Sequence, residues 1–282
     1  KTMSSVELLN DGLDFGDCPS SRDGVLWYSD FFQHRVYTVS LDGKRETVLD
    51  LGDEQPSGLG WLPEGDLLVV GMLDRKLFRY NGNQTTVHAD LSDIATWHCN
   101  DMVVSKSGIA YVGNFGYDYG SGGAPVMANL AAVYDDGTKK VAATGLNFPN
   151  GSVITQDEKT LIVGETFSCQ YTAFSIESDG TLSDGRIWAE MPGRLPDGCA
   201  LDSENAIWFA DAFSSQVVRV IEGGEITDVI DLPQRTFACM LGGDDGRTLF
   251  ILTATSDPET GIEPGKGAIY ITQVESPHSG TP

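Results

Sequence analysis

Short apolar runs recur along the chain at an even beat, each bounded by Gly, Asp or Asn and each too short for a helix. VLWYSD from Val25, DLLVVG from Asp66, IAYVGN from Ile109, TLIVGE from Thr160, AIWFADA from Ala206 and TLFILTA from Thr248 are dense in β-branched and aromatic residues, which predicts strands. A second β-rich run follows most of them, as in HRVYTVSLDG, KLFRYNGN, QYTAFSIESDG and QVVRVIEGGE. Several of these end on turn signals such as Asp42-Gly43 and Asn81-Gly82. A small dipeptide opens each unit, and it reads as a turn: Asp17-Cys18, Ser57-Gly58, Asn100-Asp101, Asn150-Gly151, Asp197-Gly198 and Ala238-Cys239.

The units repeat every 40 to 50 residues or so, and each holds about four strands, which is the sequence signature of a β-propeller blade. Ankyrin and tetratricopeptide repeats are shorter and helical, and no long stretch here spaces apolar residues as a helix would. Six copies predict an all-β fold, a six-bladed β-propeller with four-stranded blades. A single domain over 1–282 is expected, with blades near 15–55, 56–98, 99–145, 146–193, 194–235 and 236–276. The leading VELL is expected to pair late, against the end of the repeat array. A glycine-rich insertion, NFGYDYGSGGAPVMAN, lengthens the third unit. It reads equally as a rim or as a plain loop, and it offers Phe115, Tyr117 and Tyr119.

Composition agrees: 33 Gly and 12 Pro serve many tight turns, and 40% apolar residues supply a core. A net charge of −23 opposes nucleic acid and anionic membrane alike, since phosphates are repelled. The expected partner is a small molecule, and the expected state a monomer or weak homo-oligomer. No apolar run reaches the roughly 18 to 20 residues of a membrane span, and KTMSSVELLNDGLDF lacks the apolar core of a secretory leader. Five cysteines form no CxxC pair and leave one unmatched, so reduced thiols and a cytoplasmic location are expected.

In a propeller the first strand of each blade lines the central channel, so equivalent repeat positions converge in a ring. Here that ring is Asp17, Ser57, Asn100, Asn150, Asp197 and Ala238. Two carboxylates and two carboxamides around one axis suit a hard divalent cation such as Ca²⁺. No His/Cys set has the spacing of structural zinc. The plainer alternative is that Asn-Gly and Asp-Gly are common turn dipeptides and bind nothing. Neighbouring Cys18, Cys99, Cys199 and Cys239 read as small packing residues. There is no G-x-S-x-G elbow, no P-loop and no dinucleotide fingerprint.

The motifs NFPNG with DEKTLIVGET, LPDGCALDSENAIWFAD, HCNDMVVSKSGIAYVGN and FACMLGGDDGRTLFILTA resemble, in order and spacing, the family of senescence marker protein 30, gluconolactonase and luciferin-regenerating enzyme. The resemblance runs from about Phe15 to Val274. It implies a six-bladed propeller with one divalent cation in the channel, most simply Ca²⁺, with Zn²⁺, Mn²⁺ or Mg²⁺ as alternatives. The family's ligand positions fall on Asp17, Asn100, Asn150 and Asp197. The implied reaction is metal-assisted opening of a sugar-type or other small lactone, with the general base on Asp101 or Asp197. Trp97, His98 and Tyr117 are the substrate-side candidates, while Glu165 reads as structural at the end of an inner strand. Two departures stand out. The first-blade motif, usually Glu-Gly-Pro-x-Trp, reads Asp17-Cys18-Pro19-Ser20-Ser21, one methylene shorter at the ligand and without the Trp. His98 stands where many relatives carry an Arg for a sugar hydroxyl or carboxylate. Cleavage of organophosphate esters by the same ion, or a propeller that binds without catalysis, are the rival functions.

Overall fold

The computed structural model describes residues 2–3 and 5–280. Six sheets, antiparallel but for one added edge strand, stand around one axis. After two leading strands, β1 (Thr2–Met3) and β2 (Glu7–Leu13), blade 1 comprises β3 (Gly16–Arg22), β4 (Val25–Asp30), β5 (Arg35–Val39) and β6 (Arg45–Asp50). Blade 2 holds β7 (Pro56–Trp61), β8 (Leu67–Gly71), β9 (Lys76–Tyr80) and β10 (Thr85–Asp90). Blade 3 holds β11 (Cys99–Val104), β12 (Ala110–Asn114), β13 (Ala128–Val133) and β14 (Lys139–Leu146). Blade 4 holds β15 (Pro149–Ile154), β16 (Thr160–Glu165), β17 (Gln170–Ile176) and β18 (Leu182–Glu190). Blade 5 holds β19 (Pro196–Leu201), β20 (Ile207–Asp211), β21 (Gln216–Val220) and β22 (Ile226–Asp231), and β1 adds to its outer edge in parallel. Blade 6 takes β23 (Arg235–Gly242), β24 (Thr248–Ala254) and β25 (Gly267–Gln273) from late in the chain and its outer strand, β2, from the beginning. The fold is the six-bladed, all-β propeller that the repeats predict. No described helix is long and apolar enough to cross a membrane.

The second strands read as unbroken apolar runs because each blade is covered on both faces by its neighbours, as in any doubly buried sheet. Alternation then sends successive side chains to opposite interfaces. On β11, Met102 and Val104 join the layer against blade 2 with Leu68 and Val70, while Val103 joins the layer against blade 4 with Ile154 and Leu161. On β15, Val153 faces blade 5 with Leu201 and Phe209. Between blades 1 and 2, Leu59 and Val69 pack with Val36, beside a T-shaped Trp27–Trp61 pair at 5.2 Å.

A buried acceptor at the foot of the second strand ties down the loops around the channel mouth. Asp30, fully buried at the end of β4, accepts from the backbone N–H of Asp14, Phe15, Phe32 and Gln33 at 2.9 to 3.2 Å. Glu165 on β16 accepts from Asn147 N–H at 2.8 Å, and Asp211 on β20 from Leu195 N–H at 3.1 Å. Glu165 therefore does a structural job, but on the second strand of its blade and not the inner one. In blade 2 the equivalent residue is Gly71, and Glu54 reaches in from the preceding loop to bind the N–H groups of Gln55, Leu73 and Asp74. A Cβ on Gly71 would lie 2.9 Å from the Glu54 carboxylate.

Candidate active site in the central channel

The six inner strands β3, β7, β11, β15, β19 and β23 stand side by side around the axis. The dipeptides read from sequence as turns are not turns. Asp17, Ser57, Asn100, Asn150 and Asp197 are each the second residue of an inner strand, and Ala238 also lies within one. The glycines beside them are needed for close approach, not for a left-handed turn. A Cβ on Gly151 would meet Asp197 O at 2.5 Å, one on Gly58 would meet Met102 N at 2.7 Å, and one on Gly198 would meet Ala238 Cβ at 2.6 Å.

Each inner strand also carries a register shift at this level, between Asp17 and Ser20, Pro56 and Leu59, Cys99 and Met102, Pro149 and Ser152, Pro196 and Cys199, and Thr236 and Ala238. Such bulges break strict alternation and re-aim side chains. Two consecutive residues can then face the channel, and Asn100 with Asp101, and Asp17 with Cys18, do so on the wall of one cavity. Asn150 and Asp197 share that wall. The structure thus brings Asp17, Asn100, Asp101, Asn150 and Asp197 together. Two residues flanking the ring, Cys18 and Phe148, hold left-handed backbone with φ of 51° and 55°, a strain typical of functional positions.

The amides are oriented by neighbours. Asn100 donates through Nδ2 to Pro149 O at 2.9 Å, and Asn150 donates through Nδ2 to Thr166 Oγ1 at 3.3 Å. Asn100 Oδ1 is left buried without a partner, a costly state for an acceptor. Asp17 Oδ1 accepts from Cys18 N–H at 2.8 Å, and Asp101 Oδ1 from Met102 N–H at 3.0 Å. Burial, followed by the neighbouring Asp101 charge, pushes the Asp17 carboxyl well above the usual carboxylate range. Burial, then Asp17, Asp101 and Asp257, does the same to Asp197. Burial raises Asp101 to about 6 against the Met102 N–H and the Cys18 thiol. Four carboxylates, Asp17, Asp101, Asp197 and Asp257, on a wall with no Lys, Arg or His among its described residues form a set whose mutual repulsion a divalent cation would offset. Among the described residues no three His, Cys, Asp or Glu side chains form a ready-made metal cluster; the ring's oxygen donors are half carboxamide. The donor chemistry and the orphaned Asn100 oxygen fit a hard cation held by Asp17, Asn100, Asn150 and Asp197.

Above the ring stands an aromatic collar. On one side Phe15 packs on Phe31 at 4.9 Å and Phe237 at 4.7 Å. On the other, Phe115 stacks on Phe148 at 4.6 Å, and Phe148 meets Phe167 at 4.9 Å. Phe213 continues the collar from blade 5, with the Arg235 guanidinium 5.1 Å over its ring and donating to Ala212 O. Two loops meet over the mouth. Tyr119, on a single turn of 3-10 helix in the blade 3 insertion, donates to Asp257 Oδ1 of the blade 6 loop at 2.9 Å. Blades 3 and 6 lie opposite one another, so this bond spans the opening. The space beneath is about 40 Å³, room for roughly three waters. Trp97 and Tyr117 pack against the collar from outside, and His98 stacks on Trp97 at 4.4 Å; none of the three lines this cavity. Below the ring a wider cavity of about 380 Å³ opens, and Cys18 and Asp101 line both spaces.

The SMP-30/gluconolactonase/LRE-like family model matches residues 15–255. The chain belongs to this family. The family match begins at Phe15, the first collar residue, and takes in the whole ring. Among relatives, a pentonolactonase of Haloferax volcanii is 26% identical over 247 residues, covering 83% of this chain and 82% of its own length. A 6-deoxy-6-sulfogluconolactonase of Pseudomonas putida is 25% identical over 278 residues, covering 95% and 94%. Among solved structures, a calcium-binding regucalcin from Agrobacterium tumefaciens superposes with a TM-score of 0.81 at 17% identity, covering 100% of this chain and 97% of its own. A luciferin-regenerating enzyme gives 0.80 at 15%, covering 95% and 94%. Both have the same fold.

Proposed function

We propose that this protein is a divalent-metal-dependent hydrolase that opens a lactone at the top of the channel ring. The observation that carries the reading is the convergence of two carboxylates and two carboxamides, one with an orphaned buried oxygen, beside a third carboxylate that is not needed as a ligand. Relatives named as lactonases support the reaction class. Asp17, Asn100, Asn150 and Asp197 would hold the ion, which when bound polarises an ester carbonyl as a Lewis acid.

The chain's own residues supply the rest. With Asp197 holding the ion, Asp101 keeps the role of base. It sits at the junction of the upper and lower cavities, so it can take water from below while the lactone lies above. Asp101 accepts a proton as the water oxygen bonds to the carbonyl carbon. The ring C–O bond then breaks and the proton passes to the departing ring oxygen. The product is a hydroxy acid, which ionises at neutral pH. With the Tyr119–Asp257 bond closed, the space beneath is about 40 Å³, too small for a lactone, so these two loops must part to admit the substrate.

The test is acid release from a lactone panel by chelated, dialysed protein with and without added Ca²⁺, Mg²⁺, Mn²⁺ or Zn²⁺. Turnover should depend on metal, and Asn150→Ala and Asp197→Asn should each lower it at least a hundredfold with a native thermal transition. Full turnover by the chelated protein would remove the ion from the mechanism. Full activity in both variants would remove the ring.

A further inference from the structure

The cavity wall has a chemical bias that the ring does not explain. Among its described residues none is Lys, Arg or His, and its charged members, Asp17, Asp101, Asp197 and Asp257, are all acidic. Above the ring the wall is mostly phenylalanine, in the two groups centred on Phe15 and Phe148. The hydroxyls present are already committed. Thr166 donates to Pro196 O at 2.8 Å, and Tyr119 to Asp257 at 2.9 Å. Arg235, close to the rim, has its guanidinium 5.1 Å over both Phe213 and Phe237 and gives its N–H groups to Ala212 O. A polyhydroxylated ligand could pair only those hydroxyls that reach the carboxylates, and any that face the collar would stay unpaired against phenyl rings, at a cost per group. An anionic one would meet acidic side chains with no cationic side chain to pair with, since the ion's charge is already opposed by Asp17 and Asp197.

We infer that the site selects neutral lactones with an alkyl or aryl substituent over sugar-acid lactones, the phenyl collar taking the substituent while the ester lies on the ring. This specificity rests on the lactone-hydrolase reading above. The repeat explains how it is built. Phe15 and Phe148 stand two residues before Asp17 and Asn150, and Phe31 and Phe115 each follow the second strand of a blade and donate to the backbone of Phe15 and His98 respectively. The collar therefore stands one layer above the first ring, on side chains separate from the ion's donors.

The experiment compares kcat/KM of the metal-loaded protein on γ-lactones of increasing alkyl chain, from γ-butyrolactone to γ-nonalactone, with D-glucono-1,5-lactone and D-xylono-1,4-lactone. Thermal shifts with the same compounds are read in parallel. Each added methylene should raise kcat/KM about fourfold until the collar is filled, and the sugar lactones should fall below the longer alkyl ones. Phe213→Asn, at a position 51% exposed and so safe for folding, should flatten that slope. Sugar lactones turned over faster than every alkyl lactone would overturn the specificity and leave the hydrolase reading standing. Stabilisation by alkyl but not sugar lactones, with no turnover of either, would uphold the apolar site and overturn hydrolysis. Neither turnover nor preferential stabilisation would overturn both.

Discussion

Replacing Asp30 by Asn tests how the mouth of the channel is held. The carboxylate is fully buried and takes four backbone N–H bonds, three to Oδ1 from Phe15, Phe32 and Gln33, and one to Oδ2 from Asp14. The amide keeps one oxygen, so one side must present Nδ2 to an N–H. If the oxygen stays with the three donors, the Asp14 bond is lost and a donor faces a donor. Losing a bond to a charged group costs about 1.5–3 kcal/mol, and turning the remaining three from charged to neutral weakens each. A total near 3–4 kcal/mol is expected for D30N, which in a chain of this size lowers Tm by roughly 6–16 °C. The control is Asp50→Asn, an exposed acid paired with Arg35 at 3.2 Å, for which less than about 1 kcal/mol is expected. Thermal unfolding by circular dichroism reads both. Since Asp14 and Phe15 lead directly into Asp17, metal-dependent activity should fall more in D30N than in the control even below the transition. A Tm within about 2 °C of wild type would show that the four bonds are replaceable by water, and the account of the loop anchors would fall.

Three further outcomes are expected. Gly151→Ala places a Cβ 2.5 Å from Asp197 O and 2.9 Å from Cys199 N; backbone cannot yield as a side chain can, so a loss of about 3 kcal/mol is expected, and an unchanged melting curve would contradict the close approach of the inner strands. Tyr119→Phe removes the bond across the mouth, worth about 1.5 kcal/mol or more to a charged acceptor; chymotrypsin should cut the blade 3 insertion about tenfold faster, and an unaltered cleavage rate would mean the two loops are held by something else. His278, whose Nδ1 accepts from Gly280 N–H at 2.8 Å, has its pKa lowered from 6.5 by burial. A depressed pKa means the folded state binds protons less readily, so this stability is present above 6.5 and is lost as pH falls below it. The Tm gap between wild type and His278→Gln should therefore narrow from pH 8 to pH 5; a constant gap would refute it.

The ring was legible because a polar residue recurs at one place in an apolar repeat, and a repeat converts sequence register into a circle in space. Asp101 was named as a candidate base, but its direction was not legible, since period-2 alternation would turn it away from the channel beside Asn100, and only the shift between Cys99 and Met102 turns it in. Asn150-Gly151 misled for a physical reason. The dipeptide is a turn signal where glycine is needed for positive φ, but here glycine is needed because another strand's backbone lies against it. Apart from Phe115 and Tyr119 in the insertion, the collar escaped notice because phenylalanine in a β protein reads as core. Its signal was the offset: Phe15, His98 and Phe148 all precede a ring residue by two. That offset assigns His98 to the collar position of its blade, although its ring stacks outward on Trp97. The strand-end acids Asp30, Glu165 and Asp211 fall at matching repeat positions but differ in length and surroundings, so no single motif announces them.

The sharing of blade 6 between β2 and β25 sets a timetable for biosynthesis. Ser5 and Thr272, bonded beside that pairing, are 267 residues apart in the chain, roughly 13 to 50 s of translation at ordinary rates. Blades 1 to 4 draw all their strands from consecutive sequence and can form as they leave the ribosome, while Glu7–Leu13, made before any of them, has nowhere to dock. Throughout that interval the nascent chain carries an unsatisfied strand and an open ring. A chaperone that holds extended segments would find its client there, in the earliest-made strand of blade 6 and not in its last.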